Sequence, residues 1–118
     1  GYGNDNAAPK EEAVPFTLLN DKPTFNGGDE NEFSKWVNQG LVYPQSAKDA
    51  GEQGRILVSF EITAEGKMSN VRIIRGVSQA LDDEALRVVK SSPDWTPGKK
   101  DGKPVPVIYT FPIEFTLR

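Results

Sequence analysis

The stretch GRILVSFEITAEGKMSNVRIIR, residues 54–75, decides the fold. From Gly54 the apolar residues recur at every second position. Ile56, Val58, Phe60 and Ile62 share one face, with Ser59, Glu61 and Thr63 opposite. That is the period of a strand with one buried side. Only Leu57 breaks the alternation. TAEGKM supplies a turn in which Gly66 can take positive φ, and VRIIR returns with Val71 and Ile73 as its inward pair. The segment is therefore predicted to be a β-hairpin.

Toward the C-terminus the period changes. In SQALDDEALRVVKSSP, Leu81, Ala85, Val88 and Val89 have the spacing of a core-facing helical stripe. Asp82, Asp83 and Glu84 stand near its start and Arg87 and Lys90 near its end, which suits the helix dipole. Neighbouring helical residues point about 100° apart, so the three acids read as dipole decoration, not as a metal or acid–base cluster. WTPGKKDGKP is a turn-rich connection, with its lysines read as a solvated loop. It leads to PVPVIYTFPIEFTL, residues 104–117, read as one long strand.

That strand carries Pro104, Pro106 and Pro112 at one parity, while Val105 through Leu117 at the other parity are apolar. Backbone N–H groups alternate between the two strand edges, so every missing donor falls on one edge. Proline is tolerated on a border strand when its absent N–H faces outward. Residues 104–117 are thus predicted to form the sheet's border, with outward donors left at Ile108, Thr110, Glu114 and Thr116. Such a border either resists edge-to-edge aggregation or accepts a partner strand.

Toward the N-terminus, Phe33, Trp36 and Val37 form one helical stripe after the acidic run beginning at Asp29, a reasonable N-cap with Glu32 three residues on. Gly27-Gly28 read as a chain turn and the two tryptophans, Trp36 and Trp95, as packing residues. Gly40 ends this helix, Pro44 opens a short second one, and Gly51 closes it. GYGNDNAAPKEEAVP, residues 1–15, has few large apolar side chains and no period, so it is read as a disordered or linker tail, with the domain spanning 16–118. The start at Gly1-Tyr2 reads as a trimmed one, with an anchor or signal segment expected upstream. The predicted order is α-α-β-β-α-β: an α+β fold with two main helices on a three-stranded antiparallel sheet.

Composition narrows the function. The chain has 118 residues, no cysteine and no histidine. Disulfide and thiolate chemistry are excluded, and the commonest general base and metal ligand is missing. Residues 1–54 hold four Lys/Arg against nine Asp/Glu, and residues 55–118 ten against eight. Neither half has the dense basic patch of a nucleic-acid binder. No catalytic residue, metal site or cofactor is predicted.

LVYPQSAKDAGEQGRILVSFEI, AEGKMSNVRI, ALDDEALRVV, and Trp95, Pro97 and Gly98 before a terminal strand occur here in an order that resembles the TonB C-terminal domain family. The similarity runs from about Phe25 to Arg118. It implies a non-enzymatic periplasmic domain that passes energy from a proton-driven inner-membrane motor to outer-membrane transporters, anchored in the inner membrane in the full-length protein. In that family the transporter's TonB box adds as a strand to the last strand, near the Tyr-Pro segment. Carried over by position, the resemblance implies partner-binding residues Tyr43, Pro44, Ile108, Thr110 and Glu114. Gly40-Leu41-Val42 stand where the family has glutamines, so polar contacts from those glutamines do not transfer. The prolines imply short pairing centred on Ile108 and Thr110. A second reading keeps the fold as an interaction or sensory module appended to a signalling or peptidase protein. A homodimer through 104–117 is the self-association such an edge invites.

Overall fold

The computed structural model describes residues 12–118. The predicted hairpin is present as β2 (Gly54–Ile62) and β3 (Met68–Arg75), antiparallel, with Gly66 in the turn at φ +86°. The other side of β2 pairs without a break to β6 (Val107–Phe115), from Gly54 opposite Phe115 to Ile62 opposite Val107. Ile56, Val58, Phe60 and Ile62 are all buried, and Val71 and Ile73 pack against them from β3. The β2–β3 pairing shifts register twice, and Asn70 sits at φ 52°. Such irregularities twist an edge strand and discourage further pairing along it.

Three helices accompany the sheet. Asp29 caps α1 (Glu30–Gly40), its side chain accepting from the Asn31 N–H at 2.9 Å. Phe33 and Val37 are buried and Trp36 is half-buried, as the stripe predicted. Pro44 precedes α2 (Gln45–Asp49), and Gly51 ends it at φ 69°. Ser78 caps α3 (Gln79–Lys90), whose Leu81, Ala85, Val88 and Val89 enter the core. The core centres on aromatic rings: Phe33 lies 4.9 Å from Trp95, 5.0 Å from Phe111 and 5.6 Å from Phe60 between centroids. Phe25 joins this group through a two-residue turn, Asn26 (φ 51°) and Gly27 (φ 78°), closed by paired bonds between Phe25 and Gly28.

Residues 104–117 do not form one strand. Lys103–Pro104 is β5, which folds back on β4 (Lys99–Lys100) around Asp101 (φ 53°) and Gly102 (φ 79°). Positive φ at both central residues is the geometry that matches hairpin twist, and Asp-Gly favours it. This small hairpin draws Pro104 away from the main sheet. Val105 then turns inward and donates its N–H to the Gly98 carbonyl at 3.0 Å, and the border strand starts only at Val107.

The N-terminal boundary also moves. Residues 1–11 of the expected tail lie outside the described residues, but Val14–Pro15 form β1, parallel to β6. The main sheet therefore has four strands in the order β1-β6-β2-β3, the predicted antiparallel three with one short parallel addition.

Candidate functional site

The side chains of β6 alternate as the parity argument requires. Val107, Phe111, Ile113 and Phe115 are buried and Tyr109 is half-buried under the helices, while Thr110, Pro112 and Glu114 are exposed. The backbone sense is fixed by one bond at the strand's threshold: the Pro106 carbonyl accepts from the Val14 N–H at 2.9 Å, on the side away from β2. Even-numbered residues thus turn their N–H and C=O groups to the border. Pro112 has its missing donor there, which leaves its pairing opposite Leu57 on β2 intact.

The border is only partly open. β1 takes the edge at its first residues, with Val14 opposite Val107 and Pro15 opposite Ile108. Ile108 is therefore paired within the chain, and the expectation of an open edge centred on Ile108 and Thr110 needs correction. Phe16 and Leu19, just beyond β1, are 3% and 4% exposed, and the Phe16 ring lies 4.4 Å from that of Tyr109. Lifting these two side chains into water would cost about 3–6 kcal/mol, taking about 1.5–3 kcal/mol for each. A few added main-chain hydrogen bonds, at about 0.5–1.5 kcal/mol each, do not readily offset that. No described strand pairs with the border beyond Ile108, which leaves Thr110 to Thr116 open with donors at Thr110, Glu114 and Thr116. At about 3.4 Å per residue this is an edge of roughly 20 Å.

Tyr43 and Pro44 stand at the opposite end of that edge from β1. The Tyr43 ring meets Phe115 edge-on, centroids 5.2 Å apart at 83°. Its hydroxyl donates to the Glu52 carbonyl, and burial followed by the Glu52 charge raises its pKa. The Pro44 carbonyl accepts from the N–H groups of Ala47 (3.1 Å) and Lys48 (3.0 Å), so the residue is part of the start of α2. The structure thus brings Tyr43 beside Glu114's neighbour Phe115, and leaves Ile108 at the far end under β1.

The loop leading to Tyr43 is held by a residue whose role the sequence reading missed. Glu84 is 9% exposed and accepts the Val42 N–H at 2.7 Å. Arg87 grips both Glu84 oxygens at 2.7 Å and donates to the Gly40 carbonyl at 3.0 Å. The Arg87 hydrogen bonds hold the Glu84 carboxyl below its usual pKa, opposed by burial and assisted by the Val42 N–H. Glu84 is not dipole decoration but a clamp on residues 40–42. Its position was the available signal: it lies three residues after Leu81 and one before Ala85, inside the apolar stripe. Asp82 also has a defined task, accepting the Val77 N–H at 2.9 Å ahead of α3.

Tyr109 gives a pH-dependent readout of this end of the site. Burial, with a smaller contribution from Glu30, pushes its pKa up to about 12 from 10.0. The raised value means that its contribution to stability is complete below about pH 10 and is lost as pH rises through about 12. Tyr109→Phe is expected to flatten that alkaline limb in chemical denaturation measured between pH 9 and 12. An unchanged slope would show that Tyr109 does not titrate in this way.

Helices packed on a mainly antiparallel sheet, with a C-terminal strand near the border behind a Tyr-Pro loop, define a small α+β domain. The family described as Gram-negative bacterial TonB protein C-terminal matches residues 39–117, and the chain belongs to it. It is 28% identical over 100 residues to Protein TonB of Helicobacter pylori, covering 80% of this chain and 33% of that protein. It is 29% identical over 62 residues to Protein TonB of Pseudomonas aeruginosa, covering 52% of this chain and 18% of that protein. The chain thus spans about a third or less of these relatives. Among solved structures, the H. pylori TonB C-terminal domain in solution superposes with a TM-score of 0.56 at 24% identity, covering 80% of this chain and 89% of that one. The P. aeruginosa domain gives 0.51 at 27% identity, covering 65% and 78%.

Proposed function

We propose that this domain is the periplasmic docking end of a TonB-type energy transducer, which receives the TonB-box segment of an outer-membrane transporter by strand addition to β6. The observation that carries the reading is the open border from Thr110 to Thr116, where no described strand pairs. Main-chain donors and acceptors on such an edge supply affinity with little demand on side chains, the mode known as β-augmentation. Membership of the family supports the choice of partner. Thr110 and Glu114 make the main-chain contacts, Tyr43 and Pro44 bound the far end, and Ile108 acts through its contact with β1. The domain is non-enzymatic in this reading, and inner-membrane anchoring and the proton-driven motor belong to the rest of the protein. Among the described residues no helix is long and apolar enough to cross a membrane.

The expected affinity is low. About four added hydrogen bonds at about 0.5–1.5 kcal/mol each, less the ordering of a flexible peptide, leave little net free energy. A reversible attachment suits a coupling that must be made and released. Titration of a TonB-box peptide into isotope-labelled protein tests the reading. The amide signals of Thr110, Glu114 and Thr116 are expected to move, and their remaining still at millimolar peptide would sink it.

A further inference from the structure

Where β1 leaves the border, it leaves a notch. Pro15 is the last paired residue, and the chain then turns through a single 3₁₀ turn at Phe16–Leu18. The Phe16 carbonyl accepts from the Leu19 N–H at 3.4 Å, so it is drawn into that turn and away from the border. The separation opens a cavity of about 240 Å³ lined by Pro15, Phe16, Thr17, Ile108, Tyr109 and Thr110. Its lining is chiefly apolar, and it lies at the very residue where the open edge begins.

We infer that β1 is a fixed end-stop for an added strand and that the notch beside it is a side-chain pocket, which takes an apolar residue at one end of the partner segment. The inference rests on the docking reading above and adds to it a boundary and a specificity element. A strand paired with Thr110 and Glu114 runs in line with β1, because both would lie on the same side of β6. Its end must therefore abut Pro15 and Phe16, and the side chain there meets the notch. Two features keep β1 in place as the stop. Phe16 and Leu19 belong to the buried core, and the chain beyond them is tied down by the bridges Asp21–Lys99 and Thr24–Thr96. Pro15 also has no N–H to offer on the outer side of β1, so the stop does not itself invite a further strand. The partner class that fits is an extended segment of about five to seven residues, by the rise of about 3.4 Å per residue along the open edge, with an aliphatic side chain at the β1 end.

The test is a double-mutant cycle between the pocket and the peptide. Thr17 is exposed, so Thr17→Trp fills the notch with little demand on the core, and a thermal melt checks that the fold is kept. The probes are a TonB-box peptide and versions with each terminal aliphatic residue replaced by glycine. Replacement at one end is expected to weaken binding to the unaltered protein about five- to tenfold. The same replacement should have less than a twofold effect on Thr17→Trp. Binding should move the Phe16 and Tyr109 ring signals while the Val14 amide stays fixed. Amide shifts at Thr110 to Thr116 with no such coupling would overturn the pocket and leave the docking reading standing. Release of the Val14 amide, with Ile108 joining the shifted set, would overturn the end-stop. No shift along the border would overturn both readings together.

Discussion

Replacing Gly66 with alanine is expected to destabilise the domain by about 3 kcal/mol, from roughly 1–2 kcal/mol for a side chain in left-handed backbone and about 1–3 kcal/mol for overpacking. The position combines two demands. Its φ is +86°, and an added Cβ would lie 2.0 Å from the Trp95 carbonyl oxygen, a backbone atom that cannot simply rotate aside. The close approach exists because the Trp95 N–H donates to the Gly66 carbonyl at 2.7 Å. That bond fastens the β2–β3 turn to the segment carrying Trp95, which fills the aromatic core against Phe33 and Phe25. The loss is a large part of the roughly 5–15 kcal/mol typical of a whole domain. It should lower the melting temperature by more than about 10 °C, at roughly 4–8 °C per kcal/mol for a domain near this size. A shift of only a few degrees by calorimetry would mean that the turn gives way without disturbing Trp95.

Removing the Glu84 carboxylate is the second large effect. Glu84→Ala would leave the Val42 N–H without its acceptor and Arg87 without its bidentate partner. Loss of a buried acceptor that serves a charged group costs about 2–3 kcal/mol. The lower part of that range applies here because Arg87 is largely exposed and can return to water. The change should be local as well as global: the amides of residues 41–43 should exchange faster with solvent, since the clamp supplies the hydrogen bonds from α3 to Gly40 and Val42. The depressed Glu84 pKa fixes the sign with pH. Its contribution is present above about 4.5 and is lost as pH falls through its lower folded value, so the wild-type protein and Glu84→Ala should converge in acid. A constant difference down to pH 2 would remove the ionised carboxylate from the account.

The elements with a sustained period are legible in the sequence itself. The alternation at Ile56, Val58, Phe60 and Ile62 and the stripe at Leu81, Ala85, Val88 and Val89 each record one buried face, so the hairpin and α3 follow directly. The same parity rule placed the side chains of β6 correctly from Val107 onward. It failed at Pro104 because Asp101-Gly102, a strong short-range hairpin signal, lies just ahead and diverts the chain into β5. β1 was hidden for a different reason. Two residues have no period, and Val14-Pro15 becomes a strand only because Phe16 and Leu19 have a place in a core built from distant segments. Of the candidate residues, Thr110 and Glu114 keep an open border, Ile108 does not, and Tyr43 and Pro44 lie at the other end. Glu84 was visible as a position in a stripe but not as a partner, since Val42 is 42 residues away in sequence.

The parallel sense of β1 has a mechanical consequence. Any tension applied along the chain at Glu12 would meet β6 in line with the strand axis, not across it. The bonds between β1 and β6 are then loaded in shear and stretch together, whereas a load across the strands would peel them apart one by one. Beyond them the pull reaches the buried rings of Phe16 and Tyr109, and then the whole length of β2 paired to β6. Under such a load the short strand would act as a grip, set where a longitudinal pull is shared by the sheet.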